Sequence, residues 1–304
     1  MKRSMNWIAR ALLLGLALVP GIGCNSLSQN LRIFKAKDPA AAPSNYTPEQ
    51  LVTYLNNNAG RIQAVQCNQV SIDVRQGFQN APGIEGQMVL QKPRNFRLKG
   101  KVVGQPAVDL GSNNEEFWFW VGKQDPPYVF HCNYSELSFG QSRLPFPFQP
   151  EMVIQALGVS EYDPSRPYQV RDAGNNVELV EVVTSPQGSS MQKITVFQKA
   201  VAAAGKPQVI SYILRDSAGH DICKSEVYDT QIHPQTGAIL PLRMKMEWPK
   251  EKVEMSLRFG EFNSTEITPD RAARLFTRND LSSLPGFDLA RGLADGNAAT
   301  ARVP

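Results

Sequence analysis

The segment Gly86–Trp120 constrains most strongly what this chain can fold into. Its apolar residues recur at every second position in three successive runs. These pairs are Met88 and Leu90, Phe96 and Leu98, and Phe117 and Phe119. An alternation of period two is typical of strands that bury one face. The segment therefore predicts three consecutive antiparallel strands of a half-buried sheet.

Further strand patterns surround this segment, from Ile62 to Val74 and from Tyr168 to Phe262. Most of the links between them are short and contain Gly, Asn or Pro, and no long helix separates neighbouring strands. Antiparallel pairing is therefore favoured. The patterns predict about eleven strands, which is more than usually stay in a flat sheet. With no linker or internal repeat in mid-chain, we expect one mainly β (α+β) domain built on a curled antiparallel sheet.

The first residues have the pattern of a secretory signal peptide. Lys2, Arg3 and Arg10 precede an apolar run, Ala11–Val19, which is too short for a comfortable transmembrane helix. Small residues follow the run. We therefore predict a signal peptide over residues 1–23.

The residues Gly21-Ile22-Gly23-Cys24 resemble the bacterial lipobox, in which a small residue precedes a cysteine that becomes lipid-modified. The usual pattern has Leu where this chain has Gly21. The resemblance implies lipidation at Cys24 and stable anchoring to a membrane, which takes two or more acyl chains. The alternative is ordinary signal cleavage, which leaves Cys24 as a free or paired thiol.

The two ends of the remaining chain have different compositions from its middle. Residues 24–45 lack periodicity and carry Pro and small residues, so we predict a lipidated N-terminus and a flexible tether. Thr47–Gln50 has the pattern of a capping box that opens a short helix, which Asn56–Gly60 is predicted to end. Residues 292–304 have little hydrophobic content and are predicted to be disordered. The folded domain is thus expected over residues 46–291.

Charge and cysteine spacing exclude several classes of function. Without the signal peptide the chain has 29 basic against 28 acidic residues, which does not favour a nucleic-acid partner. Cys67, Cys132 and Cys223 form no CxxC pair, so zinc and thioredoxin-like sites have no support. Two of the three could form a disulfide, or all three could be small apolar residues on a sheet face.

The sequence contains no recognisable catalytic motif. His131, His220 and His233 lack the spacing of metal ligands, and Gly140–Leu144 lacks the second glycine of a nucleophile elbow. No Gly-rich phosphate loop follows a strand. We predict that the protein is not an enzyme and takes no cofactor or metal. A site assembled from distant residues is the alternative.

Two apolar features point to a binding function. The strand around Trp118 is aromatic on both faces, because Phe117 and Phe119 alternate with Trp118 and Trp120. Such a strand is either packed in a core on both faces or lines a ligand cavity with one face. Leu144–Pro150 is apolar and rich in proline and leads into a predicted helix over Glu151–Leu157, ended by Gly158. This segment is either a lid or plug over an apolar space or a loop that shields one sheet face.

The stretch Glu49–Val121 resembles the periplasmic lipoprotein carrier and its outer-membrane receptor, the LolA/LolB-like superfamily. The resemblance implies an unclosed, strongly curved antiparallel half-barrel, with short helices as a lid over an apolar cavity for acyl chains. The later strands match the family pattern only in the general spacing of strands and turns. The matching features are an N-terminal helix, Gly86, Lys92-Pro93 followed by Phe96, a turn at Asp109-Leu110-Gly111, and Trp118-Phe119-Trp120.

The resemblance also implies roles for individual residues. Lys92 is the candidate lid contact, at a position where the carrier family has Arg, and the two side chains are not interchangeable. The predicted lipobox makes the chain more similar to the anchored receptor than to the soluble carrier. The candidate ligand-binding residues of the cavity are Met88, Leu90, Phe96, Leu98, Trp118 and Trp120.

We therefore expect a non-catalytic lipoprotein of the cell envelope. It would be lipid-anchored to the outer (or cytoplasmic) membrane, face the periplasm, and bind acyl chains or lipoprotein cargo in its concave cavity. The alternative is an envelope scaffold whose curved sheet is filled by its own side chains and which binds another envelope protein.

Overall fold

The computed structural model describes residues 46–77, 79–80, 83–122, 127–137, 150–185, 188–199 and 208–295. The predicted signal peptide, Cys24 and the tether lie outside the described residues. So do residues 144–149 of the proline-rich segment and the tail after Asp295. No described helix is long and apolar enough to span a membrane.

The described chain is mainly β. Its α-helices are α1 (Pro48–Ala59), α2 (Pro150–Ala156) and α3 (Pro269–Leu275), and short 3-10 turns cover Tyr134–Glu136 and Asn279–Leu281. The strands are β1 (Ala64–Gln76), β2 (Gln79–Asn80), β3 (Ile84–Gln91), β4 (Asn95–Val102), β5 (Gln105–Ser112), β6 (Glu116–Val121), β7 (Val129–Asn133), β8 (Tyr168–Ala173), β9 (Asn176–Thr184), β10 (Ser190–Gln198), β11 (Val209–Asp216), β12 (Asp221–Ile232), β13 (Ile239–Trp248), β14 (Val253–Phe259), β15 (Phe262–Ser264), β16 (Gly286–Asp288) and β17 (Leu293–Ala294).

All of these strands belong to one curved sheet that is not closed. Its backbone pairings run in the order β8–β9–β10–β11–β12–β13–β14–β1–β3–β4–β5–β6–β7–β16–β17, with β2 and β15 paired to the two ends of β1. Within the described residues no pairing joins β8 to β17. The predicted unclosed antiparallel half-barrel is therefore confirmed, with more strands than the sequence patterns indicated.

One pairing departs from the predicted antiparallel meander. β16 lies parallel to β7, with Phe287 opposite Phe130, and β17 pairs with β16. The tail is therefore ordered further than predicted, because Gly292 donates its N–H to the carbonyl of Asp288 at 2.8 Å and Asp295 donates to Gly286 at 2.9 Å. Composition alone does not indicate this, since the strand is short and its pairing partner is distant in sequence.

Helix α1 has the cap that its sequence predicts. The hydroxyl of Thr47 accepts from the N–H of Gln50 at 3.3 Å, and the Gln50 side chain accepts from the N–H of Thr47 at 3.0 Å. The helix continues through Asn56–Asn58 to Ala59 and has Gly60 as its C-cap, so it ends within the predicted segment Asn56–Gly60. Leu51, Val52 and Leu55 face the sheet and pack on β9 and β10 side chains.

Helix α2 lies within the connection that crosses from β7 to the opposite edge strand, β8. This path places α2 over the concave face, where Met152, Val153, Ile154 and Leu157 join the main core. The helix ends near the predicted position, and Gly158 follows it with φ 75°, a backbone conformation that glycine adopts without strain.

Candidate functional site

The concave face of β3 and β4 carries four of the six predicted ligand-binding residues. Met88 lies opposite Leu98, and Leu90 lies opposite Phe96, so all four side chains share one face. Each is 0–2% exposed. They belong to the same packed core as the apolar side chains of α2. The structure thus brings these four residues together on one face of the sheet, in a core to which α2 also contributes.

Trp118 and Trp120 lie on the opposite, convex face, so the structure contradicts their placement in the same cavity. Trp118 is paired with Gly111 and Trp120 with Asp109, whereas Phe119 is opposite Leu110 on the concave side. The concave face therefore continues through Phe117 and Phe119, which pack with Phe130 and Cys132. Both alternate sets of this strand are aromatic, so its pattern could not indicate which set faces inward.

On the convex side of β4 to β6, buried side chains form a hydrogen-bond network with the C-terminal segment. Arg97 donates to both carboxylate oxygens of Asp109, at 3.1 and 2.7 Å, and both side chains are buried. The guanidinium also donates to the carbonyls of Leu275 and Thr277 at 2.9 and 2.6 Å, which ties down the C-terminal segment. The Trp118 indole donates to Asp109 at 3.3 Å.

Asp109-Leu110-Gly111 is not a turn, as the family pattern suggested, but part of β5. A side chain at Gly111 would lie 2.2 Å from the Trp118 ring. The glycine therefore makes room for the indole, and the aspartate accepts hydrogen bonds from two buried donors. Both features of the motif serve packing on the convex face.

Lys92 lies in the turn between β3 and β4 and contacts the ends of two elements. Its Nζ donates to the carbonyl oxygen of Ala59, the last residue of α1, at 3.0 Å. The same ammonium lies 2.6 Å from Oε1 of Glu161, in the segment that follows α2. The Lys92 side chain is 8% exposed and that of Glu161 is 66% exposed. A cation at this place complements the unpaired carbonyls of a helix C-terminus.

Arg94 belongs to the same turn and lies near the other end of α2. Its Nε is 3.6 Å from Oε1 of Glu151, in the first turn of that helix. Both side chains are partly exposed, so the pair contributes at most about 1 kcal/mol. The turn therefore places one cation at each end of the α2 segment. We call Lys92, Arg94, Glu151 and Glu161 the clasp.

Two asparagines of α1 also hold the α2 segment. Asn56 donates to the carbonyl of Tyr162 at 2.7 Å and accepts from its N–H at 2.8 Å. Asn58 donates to the carbonyls of Gly158 and Ile239, at 3.1 and 2.9 Å, and accepts from the N–H of Ile239 at 2.7 Å. Each side chain thus pairs with backbone as a neighbouring strand would, and these hydrogen bonds join α1, the C-terminal side of α2 and β13.

The space that remains beneath these helices is small. A cavity of about 40 Å³ lies between α1, the end of α2 and strands β11 to β13. Ligand pockets usually have about 300–1,000 Å³, so this cavity does not hold an acyl chain. A larger groove of about 370 Å³ lies between α1 and Pro164–Tyr168. None of the six predicted ligand-binding residues lines either space.

The described cysteines are buried, and the described residues hold no cluster of metal-ligand side chains. No group of three or more His, Cys, Asp and Glu that could hold a metal occurs in the described ranges. Cys67, Cys132 and Cys223 are buried and free, so the disulfide alternative is not formed. Burial raises the pKa of Cys132 to about 11 and that of Cys223 to about 12. Both thiols are therefore protonated at neutral pH, and a protonated thiol is a poor nucleophile.

Comparison with known proteins gives matches at the level of structure. No protein-family model and no curated protein matches the sequence. A solved domain named for outer-membrane lipoprotein sorting, from Vibrio parahaemolyticus, aligns with TM-score 0.51 and 9% identity over 75% of this chain and 98% of that chain. A DUF1329 family protein from Desulfovibrio piger aligns with TM-score 0.50 and 10% identity over 75% and 97%. A LolA superfamily protein from Nitrosomonas europaea aligns with TM-score 0.45 and 13% identity over 76% and 99%.

The chain shares the fold of the lipoprotein-sorting domain and of the DUF1329 family protein. At these identities the comparisons describe the fold alone. Within that fold, sequence reasoning missed Arg94, Glu151, Glu161 and the paired asparagines of α1. A basic residue on each side of Pro93 and an acid on each side of α2 are visible in the sequence. Their pairing across about sixty residues becomes visible only with the tertiary structure.

Proposed function

We propose that this LolA/LolB-like protein binds acyl chains, free or carried by lipoprotein cargo, on its concave face without making or breaking a bond. The observation that carries the proposal is the position of α2. Its apolar side chains belong to the same core as Met88, Leu90, Phe96 and Leu98, and its two ends are held by the polar contacts of the clasp. In this proposal α2 occupies the site as a plug when no ligand is bound.

The exchange of α2 side chains for a ligand is energetically close to balanced. Burial of each large apolar side chain stabilises by about 1.5–3 kcal/mol, and α2 buries Met152, Val153, Ile154 and Leu157. Each methylene of an acyl chain stabilises by about 0.8 kcal/mol when buried, so roughly ten methylenes replace those four side chains. The polar contacts that hold α2 in place then decide whether its side chains or a ligand occupy the site.

The clasp provides a direct test of this function. The double variant Glu151→Gln with Glu161→Gln weakens both ion pairs without changing the apolar face. We expect it to bind an uncharged fluorescent acyl amide several-fold more tightly than the unaltered chain, because the open state is populated more. Glu254→Gln is the matched control, since Glu254 pairs with Arg75 on the convex face, away from α2. Saturable binding in none of the three proteins would contradict the proposal.

The second candidate function is a scaffold with a filled core. It is favoured by the complete burial of Met88, Leu90, Phe96 and Leu98 and by the small volume beneath the helices. A scaffold would bind another envelope protein and no apolar ligand. The same titration distinguishes the two, because weakening the clasp of a scaffold lowers its stability without creating an acyl site.

We also propose that the chain is exported, lipidated at Cys24 and held at a membrane facing the periplasm. The support is the basic, apolar and small-residue pattern of residues 1–23 and the lipobox-like Gly21-Ile22-Gly23-Cys24. Residues 24–45 would then tether the domain that begins near Tyr46. Mass spectrometry of the mature N-terminus tests this proposal. Acyl mass on Cys24 is expected, and an unmodified N-terminal residue would contradict it.

A further inference from the structure

The cavity of about 40 Å³ beside the end of α2 has a lining without charge. Its polar groups are the phenols of Tyr54 and Tyr212, the amides of Asn58 and Gln208, and the hydroxyl of Thr230. Its apolar groups come from both helices and the concave sheet. No Asp, Glu, Lys, Arg or His occurs in the described lining. At about 10–15 Å³ per water molecule, the space admits two or three waters or one small polar group.

Tyr212 supplies an uncommitted donor to this cavity. The residue is 3% exposed, and its hydroxyl has no hydrogen-bond partner among the described residues. The hydroxyl lies 3.8 Å from the place where a Cβ on Gly158 would be, so it points to the end of α2. Burial raises the pKa of both Tyr212 and Tyr54, and both phenols are therefore neutral donors at physiological pH.

Hydrogen bonds join the α1 and β13 walls of the cavity to the C-terminal end of α2. Asn58 of α1 donates to the carbonyls of Gly158 and Ile239 and accepts from the N–H of Ile239. These bonds fix the C-terminal end of α2 to α1 and β13. Displacement of Met152, Val153 and Ile154 therefore opens the concave face next to a cavity whose α1 and β13 walls are held by these hydrogen bonds. Leu157, Val227 and Leu240 connect the two spaces, since they belong to both the lining and the main core.

A charged group meets no opposite charge in this cavity. A buried carboxylate or phosphate without a cation carries a large desolvation cost. A carbonyl or hydroxyl oxygen requires one or two donors, which the phenols provide at little cost.

We propose that this cavity receives the uncharged polar end of the bound chain, so the protein selects acyl esters, amides or alcohols over ionised fatty acids and phospholipid headgroups. The inference rests on the proposed binding of acyl chains to the concave face. It adds the chemical class of the ligand and the position of its polar end, between Tyr54, Tyr212 and Thr230.

The test compares methyl decanoate, decanol and decanoate at pH 8 by displacement of an uncharged fluorescent acyl amide. For the unaltered chain we expect the ester and the alcohol to bind at least ten-fold more tightly than the anion. Because anions partition poorly into any apolar site, the decisive measurement uses Thr230→Lys, which puts a cation at the half-buried rim of the cavity. We expect this variant to bind decanoate at least ten-fold more tightly than the unaltered chain does, with methyl decanoate unchanged or weaker.

Two controls make the outcome specific. Thr184→Lys adds the same charge at an exposed position at the end of β9, and it should leave all three affinities unchanged. Tyr212→Phe should weaken methyl decanoate several-fold, whereas Tyr228→Phe, on an exposed strand position, should not. Equal affinities for decanoate in the Thr230→Lys variant and the unaltered chain would overturn the inference while leaving acyl binding intact. Failure of every ligand to bind would overturn the proposed function itself.

Discussion

Nζ of Lys92 and Oε1 of Glu161 lie 2.6 Å apart and join the β3–β4 turn to the segment that follows α2. The lysine is buried and also donates to the last carbonyl of α1, while the glutamate is largely exposed. The contact therefore fixes the helices at the rim of the apolar core rather than inside it. A rim contact can open without exposing a large apolar area, which is the property that a displaceable plug requires.

Replacement of Lys92 tests whether this contact holds the helices. Lys92→Met keeps most of the aliphatic volume but removes the donor to Ala59 and the partner of Glu161. We expect the free energy of unfolding to fall by about 1.5–3 kcal/mol, the usual value of a hydrogen bond to a charged group. Amide hydrogen exchange in residues 157–162 should become faster than in the sheet. Lys101→Met, at an exposed position of β4, is the control, and equal exchange in both variants would contradict the role of the contact.

The Arg97–Asp109 pair should dominate the stability of the convex side. Asp109→Asn leaves a buried guanidinium without its main counter-charge, and loss of one partner of a buried pair costs about 3 kcal/mol or more. Asp280→Asn removes the second, exposed carboxylate that contacts the same guanidinium at 3.2 Å, and it should cost less than about 1 kcal/mol. Urea unfolding measures both values. Similar midpoints for the two variants would show that the buried pair is not the main contributor.

Because its thiols are buried, we expect the protein to lose stability at alkaline pH. Burial raises the pKa of Cys223 from 9.0 to about 12, helped by the nearby carboxylates of Glu247 and Glu251. As the pH rises, the unfolded thiol ionises first, so the contribution of this thiol is complete below pH 9.0 and declines as the pH rises toward 12. Cys223→Ala should therefore have a flatter dependence of the urea midpoint on pH between 8 and 10.5. An identical slope in the variant would contradict the assignment of the effect to Cys223.

Val103 is expected to be a strained residue. It is 97% exposed at the tip of the β4–β5 hairpin with φ 49°, a conformation that β-branched side chains rarely adopt. Val103→Asn should raise the free energy of unfolding by about 1 kcal/mol, because asparagine tolerates this conformation. Val182→Asn, at an exposed position within β9, has no such strain to relieve and should be neutral or destabilising. A fall in stability for Val103→Asn would contradict the strain.

The alternation of apolar residues was sufficient to predict the main strands and their antiparallel pairing, but not β16, which pairs in parallel with β7. Met88, Leu90, Phe96 and Leu98 could be assigned to one face because they alternate with residues that face the other way. The same rule did not place Trp118 and Trp120, since both faces of β6 are aromatic. Their position depends on the C-terminal segment that covers the convex face, and Leu281 packs against Trp118 there. The contact is distant in sequence and has no local signal.

The clasp was only partly predictable for the same physical reason. Lys92 was identified through its place before Pro93 in the family pattern. Arg94 and Glu151 form an ion pair between a turn and a helix that no periodicity connects. The hydrogen bonds from the Asn56 and Asn58 side chains to backbone groups could not be predicted from the sequence either, because an asparagine run is also typical of a helix end.

The central claim, that an acyl chain binds on the concave face in place of α2 side chains, is tested most directly by photo-crosslinking. The probe is an uncharged acyl ester with a diazirine near the end of its chain, and labelled peptides are mapped by mass spectrometry. We expect saturable labelling at Met88 or Leu90 of β3 and at Met152–Leu157, and displacement of the label by methyl decanoate. Labelling confined to Trp118, Trp120 and Leu281 on the convex face, or no saturable labelling, would contradict the claim.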